Sequence, residues 1–142
     1  MMKAYYKRLT SRDRRVRMRA ARAWSIWEAS TSKLYFDPGL VKRFSGGRFA
    51  DAFARIEAHY FVNRGFLKTD DQLLRNVRKI RRIPGVIVQG RYDVVCPIRS
   101  AWDLHRAWPE AKLVVVPDSG HSMTEPGIRS ALIEETERFH RL

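Results

Sequence analysis

The sequence has one cysteine, Cys96, in 142 residues. That excludes an internal disulfide framework and any thiolate-rich zinc site. Long apolar runs are missing too: none approaches the roughly 18 residues of a membrane-spanning helix. The opening Met1-Met2-Lys3-Ala4-Tyr5-Tyr6-Lys7 lacks the apolar stretch of a signal peptide. A soluble, cytoplasmic chain in a reducing compartment is the expectation, with no membrane partner. There is no internal repeat and no low-complexity tract. Zinc-finger spacing, an RNP-like aromatic motif and a GXXG loop are all absent, so none of them supports a nucleic-acid reading. Gly-x-Ser-x-Gly does not occur either, so the chain holds no nucleophile elbow. Acidic residues are scarce in one half only. Residues 1–82 hold 21 Lys/Arg against 7 Asp/Glu, whereas residues 83–142 hold 7 against 8.

What is present suffices for a core. The chain is 44% hydrophobic, with seven Phe, five Tyr and four Trp, which argues against intrinsic disorder and fits one domain of ordinary size. Net charge is +13, and the densest basic stretch begins at Lys7 and ends at Arg22, with eight basic residues and the single acid Asp13. A basic nucleic-acid-binding module centred there is one reading of the charge. A solvated helix face is the simpler one, because charge runs are common on exposed helices.

The first half reads as helices. Thr10-Ser11-Arg12-Asp13 resembles a capping box, with Thr10 as its accepting residue. Val16, Ala20, Ala23, Trp24 and Trp27 then recur at steps of three and four, predicting one buried helical face that ends near Glu28. Asp37-Pro38-Gly39 and Ser45-Gly46-Gly47 are turn signals. A second helix presents Phe49, Phe53, Ile56 and Tyr60 on one side and ends between Asn63 and Gly65. Thr69 and Gln72 start a third, with Leu73, Leu74, Val77 and Ile80 as its stripe, before Pro84 stops it.

The period then changes. Val86-Ile87-Val88, closed by Gly90, predicts a buried strand, and Leu113-Val114-Val115-Val116 predicts another. Helices are expected over residues 97–108, with Ala101, Leu104 and Trp108 inward, and over residues 126–139, with Ile128, Leu132, Ile133 and Phe139 apolar. This β-α-β-α order implies parallel strands. Two parallel strands alone are too few for a stable sheet, so an α/β fold present as an incomplete domain is expected.

Function in such sheets gathers at the carboxyl ends of strands. The first strand delivers Gly90-Arg91-Tyr92-Asp93 and the second Ser119-Gly120-His121-Ser122. Neighbouring strands lie roughly 4.8 Å apart, so Asp93 and His121 are within reach of each other. An Asp accepting a His N–H fixes the ring tautomer and stabilises the imidazolium of proton transfer. The chain order Asp…His is that of α/β-hydrolases after their nucleophile.

Residues 83–97, Ile83-Pro84-Gly85-Val86-Ile87-Val88-Gln89-Gly90-Arg91-Tyr92-Asp93-Val94-Val95-Cys96-Pro97, resemble the acid-bearing segment of prolyl aminopeptidases (proline iminopeptidases). Ala101-Trp102-Asp103-Leu104-His105-Arg106-Ala107-Trp108-Pro109, Ser119-Gly120-His121-Ser122 and the 28-residue spacing from Asp93 to His121 extend the match. Ala23-Trp24-Ser25-Ile26-Trp27-Glu28 and Ile56-Glu57-Ala58-His59-Tyr60-Phe61 look like two segments of that family's helical cap. The resemblance implies a serine peptidase of the α/β-hydrolase fold that releases N-terminal proline from peptides without a cofactor. It implies Asp93 as triad acid, His121 as general base, and Glu28 and Glu57 as the carboxylates that hold the substrate's amine. Residues 1–67 would be a helical cap segment and residues 68–142 the C-terminal portion of the hydrolase core.

Chemistry agrees with those roles. A secondary ammonium in a partly closed pocket needs an anionic partner. Taken without the resemblance, Glu28 is a helix-end residue and Glu57 a solvated one. Trp24, Trp27, Tyr60 and Phe61 could wall a slot for the pyrrolidine ring or serve as core packing. The missing elbow departs from the family, so a chain beginning inside the cap, inactive without an N-terminal half, is expected. A non-catalytic remnant is the other alternative. Cys96 is expected to be a buried structural thiol. His59, His105 and His140 lack metal-ligand spacing, and no metal is expected.

Overall fold

The computed structural model describes residues 1–141. They form two compact units, one of residues 1–30 and 36–68, the other of residues 31–35 and 69–142.

The first unit contains α1 (Met2–Leu9), most of α2 (Arg14–Thr31), α3 (Pro38–Phe44) and α4 (Gly47–Val62). Helix α1 has no counterpart in the sequence reading, since it is short and mostly polar. Its presence moves the cap that follows. The Thr10 hydroxyl donates back to the Tyr6 carbonyl at 2.9 Å and so finishes α1. Asp13 begins α2 instead, with its carboxylate accepting the Arg15 N–H at 2.8 Å. Asp37-Pro38-Gly39 is not a free turn but a helix start. The Asp37 carboxylate accepts the Leu40 N–H at 2.9 Å, and Pro38 occupies the first turn, where its missing N–H costs nothing.

The buried faces of α2 and α4 differ from those expected. Their core consists of Leu9, Ala20, Ala21, Trp24, Ala50, Ala54 and Ala58. Val16, Trp27, Phe49, Ile56 and Tyr60 are exposed. Ala50, Ala54 and Ala58 repeat every four residues, and a stripe of such small side chains lets helices approach closely. The large residues pack elsewhere: Phe49 and Phe53 stack at 5.4 Å and meet Phe44 of α3 at 4.7 and 5.3 Å. A short left-handed segment follows α4, with φ of 54° at Arg64, 62° at Gly65 and 60° at Phe66. Such values cannot continue a right-handed helix.

In the second unit α5 (Gln72–Asn76) gives way after five residues to a 3-10 turn over Val77–Lys79, and Val77 alone of the expected stripe is buried. Thr69 offers no side-chain cap. Then come β1 (Val86–Gly90), α6 (Ile98–Ala107), β2 (Lys112–Val116) and α7 (Pro126–His140). The strands are parallel, in register from Val86 opposite Lys112 to Gly90 opposite Val116. Among the described residues no third strand joins them. The strands are therefore half-covered rather than buried throughout, and burial concentrates at Gln89, Gly90 and Val116 at their carboxyl ends. Ala101 and Ile128 supply the buried apolar contacts of α6 and α7, while Leu132 and Ile133 are exposed.

Ion pairs centred on Glu135 and Glu110 brace this unit. Buried Glu135 accepts from Lys112 Nζ at 2.5 Å and lies 2.8 Å from Arg138 Nε, tying α7 to β2. The Lys112 hydrogen bond, with both cations adding, holds the Glu135 carboxyl below its usual range. Arg81 Nε reaches Glu110 Oε2 at 2.9 Å. That bond lowers the Glu110 carboxyl and raises the Arg81 guanidinium.

Candidate active site

The carboxyl ends of β1 and β2 turn into two loops that meet. The approach depends on glycine: a Cβ at Gly90 would lie 1.9 Å from the Gly120 carbonyl oxygen and 2.8 Å from that of Ser119. Only hydrogen fits there. The Arg91 N–H donates to the Val116 carbonyl and the Tyr92 N–H to the Ser119 carbonyl, at 2.9 and 3.0 Å, stitching the loops together.

This juxtaposition brings Asp93 and His121 together. His121 Nδ1 lies 3.0 Å from Asp93 Oδ2. The Asp93 side chain is 7% exposed and that of His121 39%. A carboxylate can only accept, so Nδ1 is the donor and Nε2 is left with its lone pair directed away from Asp93. Asp93 is itself held firmly. Its Oδ1 accepts the N–H groups of Val95 at 2.9 Å and Cys96 at 2.7 Å. Gln89 Nε2 approaches Oδ2 at 3.4 Å and donates to the Cys96 carbonyl at 3.1 Å. A fixed acid, an oriented imidazole and a free basic nitrogen are the parts of a general-base device.

Gln89 was not singled out in the sequence, although it is the one amide in an otherwise apolar strand. Glu125 was missed as well. It is buried directly before Pro126, and its carboxylate accepts the N–H groups of Gly120 and Leu34 at 2.8 and 3.0 Å. Cys96, expected to be buried, is exposed. Its backbone, bonded to Asp93 and Gln89 within the acid loop, is what serves the site.

The other expected residues lie in the first unit. Glu28 lines a cavity of about 370 Å³ together with Trp24, Trp27, Phe61, Tyr5 and Met2. Three of the four aromatic residues expected around such a slot are therefore present. Tyr60 is not; it faces a separate groove beside Tyr6, Arg55 and His59. Trp24 is 8% exposed, stacks edge-on against Tyr5 at 5.4 Å and donates its Nε1–H to Glu57 Oε2 at 2.8 Å. It is thus core and cavity wall at once, and Glu57 is anchored on it. Of the basic stretch, Arg17 pairs with Asp51 at 3.2 Å, while Arg14, Arg15, Arg19 and Arg22 border an open groove of about 650 Å³. Among the described residues no group of three His, Cys, Asp or Glu side chains could hold a metal ion, and no helix is long and apolar enough to cross a membrane.

A family profile describing TAP-like proteins matches residues 66–139, a span containing both strands and the Asp93–His121 pair. The chain belongs to this TAP-like family of α/β-hydrolases. As a member of the TAP-like family it is also similar to curated proteins over nearly its whole length. It is 64% identical over 139 residues to a probable proline iminopeptidase of Leptolyngbya boryana, covering 98% of this chain and 43% of that protein. It is 55% identical over 139 residues to a proline iminopeptidase of Xanthomonas citri, covering 98% of this chain and 44% of the relative. With the proline iminopeptidase of Arabidopsis thaliana it shares 53% identity over 144 residues, all of this chain and 37% of the relative. The chain thus spans less than half the length of these relatives.

Proposed function

We propose that this chain carries the acid–base half of a serine aminopeptidase that releases N-terminal proline from peptides. The observation that carries the reading is the 3.0 Å contact between His121 Nδ1 and Asp93 Oδ2 at the carboxyl ends of two adjacent parallel strands. Identity of 53–64% to proteins named proline iminopeptidase or probable proline iminopeptidase supports the substrate class.

In this reading His121 Nε2 takes the proton of an attacking serine hydroxyl as the hydroxyl oxygen bonds to the proline's own carbonyl carbon. His121 then returns that proton to the departing amine of the next residue, and Asp93 stabilises the imidazolium between the two transfers. Water repeats the sequence to free the proline. No Gly-x-Ser-x-Gly occurs in the 142 residues, so the attacking hydroxyl comes from outside them. Residues 1–67 act as cap and residues 68–142 as part of the catalytic core. Glu28 and Glu57 hold the protonated imino terminus, and the slot walled by Trp24, Trp27 and Phe61 takes the ring. The activity belongs in the cytoplasm.

The test compares the purified chain with a fusion behind the N-terminal portion of the Leptolyngbya boryana relative, both given proline p-nitroanilide. The chain alone should release nothing and the fusion should turn over. In the fusion, His121→Ala and Asp93→Asn should each lose orders of magnitude in kcat, Asp93→Asn because the imidazole then takes the wrong tautomer. Steady release by the chain alone, abolished by His121→Ala, would instead point to a nucleophile within it, with Ser122 and Cys96 the first to mutate. A fusion that is active but indifferent to His121→Ala would remove the assignment altogether.

A further inference from the structure

We propose that Glu125 is the positioning residue of His121: a buried carboxylate that clamps the histidine loop onto residues 31–35 and so sets the distance to Asp93. This rests on the acid–base reading of the Asp93–His121 pair.

Glu125 is 5% exposed. A carboxylate so buried is costly unless it is hydrogen-bonded. Here its two oxygens are divided between two separate stretches of chain. Oε1 accepts the N–H of Gly120, the residue before His121, at 2.8 Å, and Oε2 accepts the N–H of Leu34 at 3.0 Å. Two further bonds run in parallel between the same stretches: the Ser32 carbonyl accepts the N–H of His121 at 2.9 Å and of Ser122 at 2.7 Å. The contact is close, since a Cβ on Gly120 would come within 2.9 Å of the Leu34 nitrogen. The loop also closes on itself, with the Glu125 N–H donating to the Ser122 carbonyl at 3.0 Å. The histidine backbone is therefore fixed from both sides. The N–H groups of Gly120, His121 and Ser122 are accepted by one buried carboxylate, Glu125, and one carbonyl, Ser32. Asp93 orients the ring, whereas Glu125 fixes where the ring starts from.

Glu125→Gln tests this, because it keeps the shape and one accepting oxygen but sets an NH2 group against a backbone N–H. The readout is the NMR signal of the His121 Nδ1 proton in the ¹⁵N-labelled 142-residue chain, assigned by its loss in Asp93→Asn. In Glu125→Gln the signal should vanish or shift, while far-UV circular dichroism and the amide signals of Ala50, Ala54 and Ala58 stay as in the wild type. A merely structural clamp would leave the signal unmoved in every variant that folds, so an unchanged signal in folded Glu125→Gln and Glu125→Ala overturns the proposal. Hydrogen exchange of the unmutated chain gives a second test: the Gly120 and Leu34 amides should exchange at least 100-fold more slowly than unstructured ones, and free exchange overturns the clamp. Were the acid–base pair itself wrong, the Nδ1 signal would be missing from the wild type while both amides stayed protected. That outcome overturns the pairing, and the positioning role with it, and is distinct from a failure of Glu125 alone.

Discussion

Gly90→Ala is the sharpest test of how the two site loops are joined. The added Cβ would sit 1.9 Å from the Gly120 carbonyl oxygen, 2.8 Å from that of Ser119 and 2.9 Å from the Gly120 carbonyl carbon. All three are backbone atoms, so no side chain can rotate away. Carbon and oxygen rest at about 3.3–3.6 Å even in their closest favourable contacts, so the loops must separate by about 1.5 Å. Overpacking of this kind costs about 1–3 kcal/mol, and a backbone clash belongs at the upper end. For a chain of this length that corresponds to a fall in melting temperature on the order of 10 °C. The same displacement, added to the 3.0 Å between His121 and Asp93, carries the pair beyond hydrogen-bonding range. The Nδ1 proton signal should therefore be lost below the melting transition, where the variant is still folded.

Gly47→Ala is the matched control. Its Cβ would meet only the Met18 methyl at 3.8 Å, an ordinary contact, in the first turn of α4. It should leave stability unchanged or raise it by about 0.4–1 kcal/mol through the unfolded chain. Thermal unfolding followed by circular dichroism reads both variants. Gly90→Ala melting with the wild type, or keeping the Nδ1 signal, would show that the loops do not meet as described.

Ala54→Leu, at a position with no exposure, should cost about 1–3 kcal/mol in urea unfolding, whereas Ile56→Ala, 59% exposed, should stay within about 0.5 kcal/mol; the opposite order would restore the face built on Phe49, Ile56 and Tyr60. A double-mutant cycle of Trp24→Phe with Glu57→Gln should give a coupling of about 1.5–3 kcal/mol, the scale of a hydrogen bond to a charged group, and additivity would show that the 2.8 Å bond does not anchor Glu57. Glu135, held below its usual range by Lys112 and Arg138, should add stability that is fully present above the ordinary carboxylate range near pH 4.3 and is lost as pH falls through its lowered folded value. Glu135→Gln should therefore flatten the acid limb of a stability-against-pH curve, and an unchanged limb would exclude the pair from acid unfolding.

The second half of the chain was legible because its signals are local. Val86-Ile87-Val88 and Leu113-Val114-Val115-Val116 are apolar, mostly β-branched runs bounded by glycine or proline, and the observed strands differ from them only at their ends. Parallel pairing followed from the β-α-β-α order, and with it the approach of Asp93 and His121. The first half was harder for a physical reason. Alanine carries little hydrophobic signal, so a face of Ala50, Ala54 and Ala58 was outweighed by the phenylalanines beside it. Those phenylalanines found a partner in Phe44, on a helix hidden behind what read as a turn.

The clamp on the histidine loop lies beyond any local pattern. Glu125 and Leu34 are 91 positions apart, and nothing about a glutamate before Pro126 distinguishes it from a solvated residue at a helix start. Asp93 and His121 stand out in the sequence because the chemistry proposed for them requires particular residue types at the ends of particular strands. The groups that hold them need only a donor or an acceptor at the right place, and the backbone supplies most of these: Val95, Cys96 and Gly120 donate, and Ser32 accepts. Backbone groups are the same at every position, so the sequence cannot mark them. Residue type therefore marks the proposed acid–base pair, whereas its geometry depends on contacts that only the fold creates. Variants of Gly90 and Glu125 test that second layer, since neither side chain takes part in the Asp93–His121 contact and both should move His121.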